Sequence, residues 1–132
     1  MAEFSFVVSH EFNDPDANDV AIKILENLLT SSNGGLITYK ELSRRVSFQT
    51  DPRHVEKYLG FVSYACKENG LPLLSALVVN EQNMIPGDGF FKAYFPGKRM
   101  NENEKDELFM RIYNEIREYP HWDKVLAVYR QL

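Results

Sequence analysis

The chain has 132 residues, of which 44% are hydrophobic and 26% charged, the proportions of one folded globular domain rather than a disordered segment. Its longest apolar runs are a few residues, as at 76–79, too short for a membrane-spanning helix. Cys66 is the only cysteine, which excludes an internal disulfide and a cysteine-based zinc site; the N-terminus carries no basic leader or signal-length apolar segment, so a cytoplasmic protein with no membrane partner is expected.

The predicted elements follow in chain order. Phe4, Phe6 and Val8 alternate with polar or small residues and predict a short leading strand. Asp14-Pro15 is a helix entry, with Asp as N-cap and Pro in the first helical position. Val20, Ile24 and Leu28 recur four apart, with Ala21, Leu25 and Leu29 beside them on one broad apolar face. The Ser31-Ser32-Asn33-Gly34-Gly35 run stops this helix. Leu36 and Ile37 predict a very short strand, and Thr38-Tyr39-Lys40-Glu41 reads as a capping box opening a short helix. In that helix Leu42 and Val46 face inward, and Lys40, Arg44 and Arg45 outward.

Asp51-Pro52 repeats the cap-and-proline signal. Val55, Leu59, Val62 and Cys66 then form the buried row of a helix ending at Asn69-Gly70. Residues 73–79 have the length and composition of a strand. Residues 84–91, with Pro86, Gly87 and Gly89, read as a glycine-rich loop or wing. Asn101 caps a helix carrying Leu108, Ile112 and Ile116, Pro120 breaks it, and Trp122, Val125, Leu126 and Tyr129 predict a closing helix. The fold class expected is therefore α+β and mostly helical. A winged helix-turn-helix core occupies 34–91, with an extra strand and helix over 1–33 and a helical extension over 92–132, all in one domain.

The stretch 35–42, Gly-Leu-Ile-Thr-Tyr-Lys-Glu-Leu, resembles the opening of the DNA-binding domain of alkylguanine-DNA alkyltransferases and alkyltransferase-like proteins. Residues 52–60, Pro-Arg-His-Val-Glu-Lys-Tyr-Leu-Gly, are similar to that family's recognition helix. Residues 71–80 followed by Gly87-Asp-Gly-Phe90 resemble its next strand and turn. The pattern also resembles small winged domains attached to restriction-type nucleases. The resemblance implies double-stranded DNA as partner, with Arg53 on the recognition helix entering the duplex where a nucleotide is displaced and Tyr39 near the DNA. Lys40, Arg44, Arg45 and Lys57 would contact phosphates, and His54 completes the candidate set. The family's Pro-Cys-His-Arg motif should fall between Leu74 and Val79 and is absent, so alkyl transfer is not expected. Cys66 does not replace it, because it lies on the apolar face of the preceding helix.

Nothing else in the chain predicts catalysis or a cofactor. His10, His54 and His121 are isolated, and the Glu11-Asp14-Asp16-Asp19 cluster lacks calcium-loop spacing. No phosphate-binding loop, dinucleotide fingerprint or nucleophile elbow occurs, and Ser75 has no companion base. Phe90, Phe91, Tyr94 and Phe95, followed by Lys98-Arg99, fit either base stacking or packing against the C-terminal helices.

Charge leaves two functions open. Residues 1–35 carry six acids against Lys23, residues 36–100 nine bases against six acids, and residues 101–132 seven acids against five bases. The basic middle suits a non-catalytic DNA-binding protein, reading altered or distorted DNA. The acidic ends suit the alternative, a small interaction module or inhibitor of phage or mobile-element type. Its partner would be a basic nucleic-acid-processing enzyme, in defence or counter-defence.

Overall fold

In the computed structural model, residues 4–46 and 55–132 are described. Helix α1 spans Pro15–Thr30, β1 Ile37–Thr38, α2 Tyr39–Arg45, α3 Val55–Glu68, β2 Val78–Val79, α4 Asp88–Tyr94, α5 Glu102–Glu118 and α6 Trp122–Gln131. Short 3-10 turns cover His10–Phe12 and Leu74–Leu77. The protein is mostly helical α+β, as expected. No described helix is long and apolar enough to cross a membrane.

Helix α1 begins where its cap dictates: the Asp14 carboxylate accepts from the amides of Asp16 (2.9 Å) and Ala17 (3.1 Å), with Pro15 in the first turn. Val20, Ala21, Ile24 and Leu25 are fully buried, and α3 and α6 both pack on this helix, making it the centre of the core. Leu28 still packs against the core, whereas Leu29, one position round the helix, is 49% exposed. Gly34 and Gly35 both take positive φ, and a Cβ on Gly35 would come within 2.8 Å of Leu28. Only glycine makes this reversal into β1.

The two strands pair in parallel, Ile37 with Val78 and Thr38 with Val79, and the crossover between them contains α2 and α3. Val55, Leu59, Val62 and Cys66 form the buried row of α3, as their spacing predicts. The predicted start of that helix at Asp51-Pro52 lies outside the described residues. Helix α5 is closed by a complete capping box between Asn101 and Glu104. Trp122 is buried, and its indole N–H donates to the Ile116 carbonyl at 2.7 Å, joining the end of α5 to the start of α6.

Three expectations need correction. Residues 4–8 form no regular strand, although Phe6 and Val8 are buried and Val7 is 65% exposed, the alternation a strand would have. The backbone partner is a side chain instead: Asn69 accepts from the Val7 N–H (3.0 Å) and donates to the Val7 carbonyl (2.9 Å). Residues 73–79 wind into the Leu74–Leu77 turn and extend only at Val78–Val79. All six residues 74–79 are buried, and a run apolar but for Ser75 carries no period that distinguishes strand from helix. Of the glycine-rich loop or wing expected over 84–91, residues 84–87 are bend and loop, but the chain enters α4 at Asp88, and this helix also runs across the predicted 91/92 division. Phe90 and Tyr94, four apart with ring centroids 5.2 Å from one another, supply the helical face that Gly87 and Gly89 obscure.

Candidate nucleic-acid interface

Helix α2 opens on Thr38, whose hydroxyl accepts from the Glu41 amide at 3.1 Å, half of the predicted capping box. The Glu41 carboxylate is engaged elsewhere, 3.1 Å from Arg45 Nε and 3.5 Å from Arg44 Nη1. Arg45 also donates from Nη1 to Asn27 Oδ1 at 2.9 Å, and the buried Asn27 side chain donates to the Gly35 carbonyl at 2.9 Å. Arg45 is thus a strut between α2, α1 and the turn into β1. Arg44 stays exposed, with its charge offset by Glu41. Lys40 is exposed and has no ion-pair partner among the described residues.

Tyr39, the first residue of α2, is half-buried, and its hydroxyl accepts from the Gly87 amide at 3.1 Å. Burial pushes its pKa up, the Gly87 hydrogen bond partly opposes this and the nearby Glu56 charge adds to it. The phenol therefore keeps a proton to donate. On α3, Lys57 is exposed, its ammonium 5.7 Å from the Tyr58 ring centroid and 5.9 Å from that of Phe61. Arg53 and His54 lie outside the described residues.

Between the start of α2, one face of α3 and one face of α4 is a cavity of about 270 Å³. Tyr39, Lys57, Gly60, Ser75, Phe90 and Tyr94 line it. The Tyr94 hydroxyl donates to the Gly60 carbonyl at 3.3 Å, and burial pushes that phenol up to about 12. Nothing stands within 4 Å of where a Gly60 Cβ would project, so the missing side chain leaves this wall open. Ser75 is buried and hydrogen-bonded to the Ser63 hydroxyl, which also accepts from the Ser75 amide at 3.3 Å. The arrangement offers hydrogen bonds, aromatic edges, one ammonium and, beside it, the Glu56 carboxylate. Ser75's companion is another hydroxyl rather than a base, so the pair is no activated nucleophile. Cys66 is fully buried, and desolvation pushes its thiol up to about 12, the environment of a packing residue.

The structure thus brings Tyr39 and Lys57 to one cavity, leaves Lys40 and Arg44 at the surface and gives Arg45 a structural task. Gly60 and Ser75 were not expected as members of this site, and Tyr94 was read only as part of an aromatic run that fits stacking or packing; Ser63 does not line the cavity but bonds to Ser75, which does. Ser63 and Ser75 are twelve residues apart on different elements, a spacing with no local signature. The aromatic run after Gly89 resolves as packing at Phe90 and Phe91, which are buried, while Tyr94 and Phe95 remain half-exposed. Comparison with protein-family models, curated proteins and solved structures finds no match to this chain.

Proposed function

We propose that this protein binds double-stranded DNA without catalysis, as a helix-turn-helix protein of alkyltransferase-like type, with α4 in place of a wing, that reads altered or distorted duplex. Helices α2 and α3 are the recognition pair, with Arg53 ahead of α3 and Lys40 and Lys57 on phosphates. The observation that carries this reading is the cavity itself. It is bounded by the first residue of α2 and the first turns of α3, has Glu56 and Lys57 in its lining, and is otherwise lined with aromatic rings, hydroxyls and apolar groups. Such a lining suits a planar, hydrogen-bonding group displaced from a helix better than it suits a purely apolar ligand.

The test is fluorescence anisotropy with intact and mismatched duplexes at 50 and 200 mM salt. Wild type should weaken at least about tenfold between these conditions, as contact with two or more phosphates requires. Arg53→Ala and Lys40→Ala/Lys57→Ala should each lose affinity. Absence of binding to any duplex at 50 mM salt overturns the reading. A second reading rests on α5, where Glu102, Glu104, Asp106 and Glu107 are all exposed. That face suits the basic-protein partner, and inhibition of a nucleic-acid-processing enzyme that disappears on Glu102→Lys/Asp106→Lys exchange would favour it.

A further inference from the structure

The face of α4 opposite the cavity forms the wall of a second depression, about 320 Å³, floored by Phe91, Phe95 and Met100 and edged by Lys92, Lys98 and Lys105. Arg99 follows immediately and is exposed. Two carboxylates stand near these four cations. Asp88 lies 3.0 Å from Lys105 Nζ, and Glu102 lies 3.9 Å from the same atom. Lys105 is the ion-pair partner of both acids, and hydrogen bonding to it, helped by the charges of Lys105 and Lys92, holds the Asp88 carboxyl below its ordinary range. Lys92, Lys98 and Arg99 have no ion-pair partner among the described residues. In a chain whose net charge is −4, four cations against two carboxylates leave the edge of this groove with an excess of two positive charges, which attracts an anionic partner.

Helix α4 is the common wall: Gly89, Phe90, Ala93 and Tyr94 line the cavity, and Asp88, Phe91, Lys92 and Phe95 line the groove. We infer that Lys92, Lys98 and Arg99 hold the sugar-phosphate backbone of the same DNA whose bases face α2 and α3. This inference rests on the DNA-binding reading and adds a second contact site to it. One helix with its side chains is ~10–12 Å across. That width equals about three base-pair steps of a duplex, whose strands advance ~3.4 Å per phosphate along the axis. The contact is electrostatic and independent of sequence, because an ammonium on a phosphate reads no base.

The experiment measures log K against log salt for one duplex with wild type, Lys92→Ala/Lys98→Ala/Arg99→Ala, and the control Arg111→Ala/Arg117→Ala/Lys124→Ala. The control removes equal charge from exposed positions on α5 and α6. The groove variant should flatten the slope by about 2–3 and weaken binding at 50 mM salt at least tenfold, equally for unrelated duplex sequences. The control should keep the wild-type slope. Far-UV circular dichroism and melting curves verify that both triple variants fold. If wild type binds and the groove variant keeps its slope, the groove inference fails and the α2–α3 reading stands. Equal losses in both triple variants trace the effect to net charge and also overturn it. A wild type that binds no duplex overturns both proposals.

Discussion

In α2, Arg44 and Arg45 lie 3.5 and 3.1 Å from the Glu41 carboxylate, whereas Lys92, Lys98 and Arg99, on and after α4, meet no carboxylate among the described residues. The helical periodicity of α2 explains the first case, since Glu41 stands three and four residues before the arginines and reaches both. In the second, Asp88 is held by Lys105, seventeen residues on, which leaves the intervening cations to solvent. Equal formal charge therefore has unequal availability. A cation already paired to a carboxylate must give up that partner to bind a phosphate, and an unpaired one need not.

The largest expected effect tests the scaffold on which both basic segments rest. Cys66 lies on the core side of α3, the helix whose other side bears Lys57. Its folded pKa of about 12 exceeds the ordinary 9.0, so the unfolded chain ionises first and stability declines as pH rises above about 9. By pH 10.5 this single group should cost about 2 kcal/mol. Urea midpoints from pH 8 to 10.5 should fall less steeply for Cys66→Ala than for wild type. An identical fall would mean that the thiol is not buried against this core.

Next in size is the contrast between a strut and a free cation. Arg45→Ala removes the Asn27 Oδ1 partner and should cost about 1–2 kcal/mol by urea denaturation. Lys98→Ala should stay within about 0.5 kcal/mol, as exposed substitutions do. Equal losses for the two would erase the distinction between them. Smallest is Gly60→Leu. It should gain up to ~1 kcal/mol from helix propensity while its side chain occupies the cavity. On the DNA-binding reading, it lowers the preference for mismatched over intact duplex without changing the salt slope. An unchanged preference would separate the cavity from recognition.

Which elements were legible in the sequence depended on how local their determinants are. Asp14-Pro15 and Asn101 mark helix starts because the cap's hydrogen bonds close within three residues. The α3 row of Val55, Leu59, Val62 and Cys66 was readable because one face meets the core and the other does not. Residues 74–79 were misread because burial on every side leaves no alternation to read. The leading strand failed differently: its alternation is present, but its hydrogen-bond partner is the Asn69 side chain, 62 residues away. At the candidate site, Tyr39 and Lys57 came from the family resemblance of residues 35–42 and 52–60 rather than from a local signature. The Ser63–Ser75 pair and the open wall at Gly60 arise only where α3, α4 and the Leu74–Leu77 turn converge.

By itself, then, the sequence determined the mostly helical class, the helix entries, the dry row of α3 and the excess of cations in the middle of the chain. Tertiary structure alone decided which cations are free, that α4 divides a cavity from a basic groove, and that Arg45 is a strut. Caps and amphipathic periods act over one or two turns and are written in consecutive residues. Ion pairing and cavity walls depend on contacts between distant segments, and composition is silent about which side chains those contacts join.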